Sequence, residues 1–544
     1  MIPAESLRNS CSSDVFQNED IMELILSFFD PEAFWGDGIW DMDISTRKAL
    51  LSASLTARSF AAPALGLLWR LMTSLIPVFK ILPTFTKVNN VYTINGAMQT
   101  SHLDRLALYS CKVRYLYLQS FPDSIAAHFV SRLLIEKNFT LFPALKTLYI
   151  PSLTPPGFHS PNIDNFNPLF LIQGFSLTTL SIGGITSSTE ALVASLLSVL
   201  SHRAIAVQDL ILSGRLSLDI LCFIESFTRL QGLNLTFDSG SVVPSAFIGY
   251  CGNLPDLTHL IINLNSATID NSSLPIRSSV QGFERIQELR LRGDLDEISK
   301  ILRSISQAPN LKTIIIGCMA LLPNPVTVSL SIEAYIQDLA RIAPSLQFLD
   351  ANMGAGKTIV LPGGALRPLI QCRDLVRLEI AGVLLSITDD HIGELCAGDN
   401  WRNLRTLILP SSVDGKSPSL SSLQIFARNC PSLVNLTLPV DFRLHTPQTL
   451  KEERLRASRC SNAIEYLSIH KITTTRHDNE TNTVAMGIAV SRFIEYCLPC
   501  LKVVTLNSES PAFDADWWRT VKTMIAEFRT VRHEAVSESL RSLS

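Results

Sequence analysis

The chain has 544 residues, 47% hydrophobic and 17% charged, with a mean hydropathy of +0.24 and a net charge of −3. That composition excludes a disordered chain, and the charge excludes an overall basic field for nucleic acid or anionic lipid. The most apolar window is broken by Arg70, Pro77 and Lys80, and residues 1–20 lack a basic start and an apolar core. No membrane span or signal peptide is expected, so a soluble protein of the cytoplasm and/or nucleus is expected.

Residues 1–17 are expected to be a flexible N-terminus. NEDIMELILSFFDP (18–31) reads as an amphipathic helix with Asn18 as N-cap, Glu19 and Asp20 in the first turn and Pro31 past its end. AFWGDGIWDMDIS (33–45) interrupts the pattern; Trp35 and Trp40 either pack locally or add contacts. Residues 46–72 read as two helices split at Ala62-Pro63, with Pro63 at a helix N1 position.

From residue 113 the chain repeats itself. Fourteen segments follow L-x-x-L-x-L, with Ile or Val allowed, from VRYLYL (113–118) to LKVVTL (501–506). The mean period is roughly 30 residues, near the upper end for leucine-rich repeats. Turns such as FPALKTL, APNLKTI and CPSLVNL precede many segments, and apolar stretches at helical spacing lie between them, including 188–203, 295–307 and 331–342. The expectation is one strand and one helix per repeat. The first, fourth and sixth positions face the core, and the third and fifth face outward.

Those outward positions are Tyr115 and Tyr117, Tyr149, Ile211, Ile261, Arg290, Ile315, Phe348 and Arg377, among others. Apolar and aromatic groups on an exposed face with a polar rim mark a protein-binding surface, unless loops cover them. These nine are the expected target-binding residues.

ANMGAGKT (351–358) fits a loose phosphate loop. A working loop needs a helix starting at its Gly-Lys-Thr, and Pro362, Gly363 and Gly364 stand against one. Ala351 falls in a repeat strand, so the glycines are read as turn residues and a nucleotide-hydrolysing enzyme as a remote alternative. Eleven scattered cysteines and a lone CLPC (497–500) point to buried thiols and not to a metal set. No catalytic constellation occurs; neither an enzyme nor a cofactor or metal is expected. KEERLRASR (451–459) reads as a solvated helix or loop, and residues 516–543 as a helix anchored by Trp517 and Trp518.

The segments resemble leucine-rich-repeat proteins, and ITDDHIGELCAGDNWRNLRTLIL (387–409) is similar to the cysteine-containing type. The N-terminal block resembles the F-box, a three-helix motif, in the style of fungal chains that join it to such repeats. Ile21, Met22, Ile25, Leu26, Ser27, Phe28, Phe29, Asp30 and Pro31 fit its first part. Leu50, Leu51, Ser54, Leu55, Arg58 and Phe60 fit the second, and Leu67, Leu68 and Trp69 the third. Gln17-Asn18 replaces the family's Leu-Pro pair.

The resemblance implies an α/β protein: an F-box over 18–72, linker or capping helices over 73–110, an irregular leucine-rich-repeat horseshoe over 111–510 and a helical cap over 511–544. It implies the substrate-recognition subunit of a Skp-cullin-F-box ubiquitin ligase, with a protein target on the repeats. Ile21, Met22, Ile25, Leu26, Phe29, Pro31, Leu51, Leu55, Phe60 and Trp69 would contact the Skp-type adaptor. The alternatives are a non-catalytic repeat scaffold with a degenerate F-box, and a block that merely caps the repeats.

Overall fold

The computed structural model describes residues 19–29, 44–89, 91–118, 124–135, 140–153, 168–172, 175–203, 206–244, 246–270, 282–318, 325–354, 359–413, 417–456, 462–472, 480–507 and 512–543. The N-terminal 17 residues, Asn18, Pro31, Trp35 and Trp40 lie outside them. The chain forms two compact units, Met1–Leu257 and Thr258–Ser544.

The first unit opens with three helices: α1 (Glu19–Ser27), α2 (Ile44–Thr56) and α3 (Arg58–Arg70). Leu26, Leu50, Ala64 and Leu67 form their common core, and Met22 is also buried. The expected break at Ala62-Pro63 lies instead at Ala57, whose extended backbone (φ −150°, ψ 152°) separates α2 from α3. Pro63 is the sixth residue of α3, past its first turn, so its missing amide leaves one helical hydrogen bond unmade.

Helix α3 runs directly into β1 (Leu71–Met72), which pairs in parallel with β2 (Tyr115–Tyr117). The register sets Met72 beside Leu116, so WRLMTS (69–74) acts as one more repeat segment. The interval that was expected to hold capping helices contains two, Ile76–Phe79 and Thr100–Ser110, and also an antiparallel hairpin, Phe85–Val88 with Val91–Ile94. Asn89 takes the positive φ (47°) that the tight turn requires. Phe79, Phe85, Tyr92 and Phe129 cluster behind the hairpin, with Phe85 and Tyr92 stacked at 5.0 Å.

The parallel strands of the first unit continue through β3 (Thr147–Ile150), β4 (Thr179–Ile185), β5 (Asp209–Gly214) and β6 (Gly232–Phe237). In the second unit they are β7 (His259–Asn263), β8 (Glu288–Gly293), β9 (Thr313–Cys318), β10 (Phe348–Asn352), β11 (Arg377–Ala381), β12 (Thr406–Ile408), β13 (Asn435–Val440), β14 (Tyr466–Ile472) and β15 (Val503–Asn507). Helices such as Glu190–Arg203, Leu295–Ser304 and Pro325–Ile342 connect them. The units are leucine-rich-repeat stacks in an α/β fold.

Two hydrogen-bond devices recur from repeat to repeat. A four-residue turn leads into many of the strands, as in Leu145 N to Phe142 O (3.1 Å), Leu311 N to Ala308 O (3.0 Å) and Leu433 N to Cys430 O (3.1 Å). Pro143, Pro309 and Pro431 stand at the second position of these turns, where their fixed φ is already correct. The turn carries the residue three places before the segment into the core: Phe142, Phe227, Phe283, Ala308, Ala343, Cys372, Trp401 and Cys430 are all buried. The second device is a shared acceptor. Gln287 O takes bonds from Lys312 N and Thr313 N, and Lys312 O takes them from Gln347 N and Phe348 N. Each repeat thereby fixes the register of the next.

The first, fourth and sixth positions lie in the core, as in Leu311, Ile314 and Ile316 or Leu375, Leu378 and Ile380. The final helix, Ala512–Leu543, lies beside Glu480–Cys497, with Trp518 buried near Phe442. Among the described residues no helix is long and apolar enough to cross a membrane.

Candidate functional site

Two surfaces collect the residues singled out in the sequence. The first is the outside of the three-helix block. Met22 and Leu26 do not belong to it: both are buried, because α1 turns that face toward α2 and α3. Ile21 and Phe60 are half-buried. Trp69 is half-buried and packs on Tyr109 with ring centroids 5.0 Å apart, which draws it toward the first repeat. Pro31 lies outside the described residues. Ile25 (43% exposed), Phe29, Leu51 and Leu55 (79%) are exposed. So are Leu24, Phe28 and Ile44, which the sequence reading did not place among the adaptor contacts. Their signal was the helical register, since Leu24 and Phe28 are four apart, like Ile25 and Phe29.

The second surface is the outward face of the parallel strands. In the first unit, Tyr115 departs from expectation. It is only 5% exposed, and its registered neighbours Leu71 and Thr147 are buried too, so this end of the row is covered. Tyr117 and Tyr149 are half-buried and stacked at 4.7 Å. Burial, and then Tyr117 beside it, push the Tyr149 hydroxyl above its ordinary pKa. Ile211 is half-buried between Ser181 and Asn234.

In the second unit the register aligns two outward rows. One runs His259, Glu288, Thr313, Phe348, Arg377, and the other Ile261, Arg290, Ile315, Asp350, Glu379. Ile261 and Ile315 are half-buried, while Phe348 is 40% exposed. The arginines do not stand alone. Arg290 pairs with Glu288, and Arg377 donates to Glu379 at 2.6 Å. Burial, then Glu379, raise the pKa of the Asp350 carboxyl against the pull of Arg377. Exposed Tyr466 and Val503 extend the first row and were missed, although they hold the same third position in their segments.

Residues 355–358 of the Gly-Lys-Thr string lie outside the described residues. Ala351 is buried in β10, and the described chain resumes in the strand Val360–Pro362, which pairs with Leu384–Ser386. The next helical turn starts only at Gly363. A phosphate loop needs a helix running on from its Lys-Thr pair, and here a strand follows. Among the described residues no group of His, Cys, Asp and Glu is placed to hold a metal ion. Cys396 and Cys430 lie 3.7 Å apart in the core; hydrogen bonding between them and burial push the Cys396 thiol far up, which keeps it inert.

No family model matches the sequence, and no curated protein matches it. Similar solved structures include the leucine-rich-repeat ectodomain of the plant membrane receptor kinase GASSHO1/SCHENGEN3 from Arabidopsis thaliana, at 14% identity over 74% of this chain and 48% of that one, with a TM-score of 0.32. A TDR receptor matches at 13% identity over 74% and 52%, with a TM-score of 0.32. The Rad7 and Elc1 complex in yeast matches at 15% over 61% and 79%, with a TM-score of 0.26. The chain spans about half the length of the two receptors. Likenesses this distant carry no argument; the repeat architecture rests on the strand register and the buried positions above.

Proposed function

We propose that this protein is the substrate receptor of a Skp-cullin-type ubiquitin ligase, with its three-helix block on the Skp-type adaptor and its outward strand face on a protein target. One observation carries the reading. Leu24, Ile25, Phe28, Phe29, Ile44, Leu51 and Leu55 stay exposed on a block of three short helices. Large apolar groups concentrated in this way mark an interaction surface. The block continues through β1 into the repeat strands of the first unit, so helices and strands there share one continuous framework. The protein then needs no active site, cofactor or metal. It acts by bringing a target lysine near a charged ubiquitin carrier, in the cytoplasm and/or nucleus.

Co-purification with the adaptor tests this, wild type beside Ile25→Asp/Leu55→Asp. Both side chains are exposed, so stability should change by no more than about 0.5 kcal/mol. Capture by the wild type and loss in the variant is the expected result.

A repeat scaffold with a degenerate F-box is the second reading. The burial of Met22 and Leu26 favours it, since two of the family's matching residues are unavailable to an adaptor. Absence of capture by the wild type would put it first. On the target face, Ile261→Asp/Ile315→Asp should abolish target binding and leave adaptor capture intact.

A further inference from the structure

In the second unit, β10 and β11 carry a small grid of side chains on their outward face. Register sets Phe348 beside Arg377, and Asp350 beside Glu379. Within each strand the two residues stand two places apart, so their side chains share a face at a spacing of about 7 Å. Ile315 of β9 and Ile408 of β12 flank the two carboxylates in the same row. Asp350, Glu379 and both isoleucines are half-buried, while Phe348 and Arg377 are exposed. Charge is not balanced within the grid. Arg377 donates to Glu379 at 2.6 Å. Among the described residues no hydrogen bond or ion pair reaches Asp350. Burial, then the like charge of Glu379, raise its pKa, and the pull of Arg377 does not offset them.

We propose that the protein target presents a basic side chain to Asp350 and an apolar side chain to Phe348, two residues apart on an extended segment. The inference rests on the reading of the outward strand face as the target surface, and it names the chemistry of that target. Two neighbouring carboxylates share one guanidinium here, so a second cation relieves the repulsion between them. The aliphatic stem of an arginine or lysine has Ile315 and Ile408 to lie against while its head group meets the carboxylate. Residues two apart in an extended chain are about 7 Å apart, which matches the spacing of Phe348 and Asp350. A polyanion is repelled by the same carboxylates. A metal ion is poorly served, since among the described residues no group of His, Cys, Asp and Glu is placed to hold one.

The test uses the full chain and a labelled peptide in which leucine and arginine take every second position in turn, with serine between them. A counterpart carries glutamine in place of each arginine. The arginine peptide should bind, and bind more weakly as salt is raised. The glutamine peptide should bind about tenfold more weakly or worse, and so should the arginine peptide on Asp350→Asn. Asp350→Asn keeps the size of the side chain and removes a repulsion, so the fold should hold; thermal unfolding checks this. Asp399→Asn removes one negative charge from an 85% exposed side chain in the turn before β12, and should leave peptide binding unchanged.

Equal binding of the two peptides would overturn the proposal. So would the absence of arginine-peptide binding, an Asp350→Asn variant that binds like the wild type, or an equal loss in Asp399→Asn. Adaptor capture separates this proposal from the ligase reading, because Asp350→Asn should be captured like the wild type. Peptide binding without adaptor capture would remove the ligase and leave the basic-apolar target. Capture without peptide binding would do the reverse.

Discussion

The three-helix block and the repeat stacks are built from similar apolar residues, yet they treat them in opposite ways. In the repeats, a leucine at the first, fourth or sixth position is buried without exception from β8 to β11. In the block, Met22, Leu26, Leu50 and Leu67 are buried while Leu24, Leu51 and Leu55 are left outside. A repeat buries its apolar face against the next repeat, and the shared carbonyl at each strand entry fixes how. The block has three short helices and a small core, so apolar residues beyond that core have nothing of their own to cover them. The difference teaches that apolar content marks a binding surface only where no neighbouring copy of the same unit takes it up.

Two truncations sharpen that contrast. Trp401 fills the turn position before β12, is 1% exposed, and its indole N–H reaches Leu369 O at 3.5 Å. Trp401→Ala should cost about 3–5 kcal/mol, because the rigid neighbouring repeats cannot collapse into the cavity. Chemical denaturation of the full chain measures this. Leu50→Ala, in the smaller core of the block, should cost about 2–3 kcal/mol, at the low end for such truncations. Limited proteolysis should show the block opening before the repeats. Equal costs at the two sites would break the contrast.

The smallest expected effect concerns pH. His445 is nearly buried beside Glu453, 3.8 Å away. Burial lowers its pKa and outweighs the opposing pull of Glu453, Asp389 and Asp441. The native state therefore binds a proton less readily than the unfolded chain. Its contribution to stability is complete above about pH 6.5 and is lost as pH falls below that value. His445→Gln should flatten the stability profile between neutral and mildly acidic pH, measured by thermal unfolding. A wild-type profile already flat there would show that the acidic neighbours win.

Much of the fold was legible because a strand's two-residue alternation is local. The pattern L-x-x-L-x-L alone told which side of each strand is buried, and ANMGAGKT could be set aside once Ala351 was read as a strand residue. The hairpin at 85–94 was missed: FTKV and VYTI are short, and only Asn-Asn between them signals the turn. The buried turn position held by Phe142, Ala308, Cys372 and Trp401 was missed for a different reason. Its residue type varies, so only the shared hydrogen bond makes it a ladder.

The sequence by itself determined the repeat, the core-facing positions and the three-helix block, because each follows from a spacing within one element. The tertiary structure alone decided which of the block's apolar residues are exposed, and that Tyr115 is covered while Phe348 is not. Those facts depend on which elements come together, and spacing along a single element does not encode that.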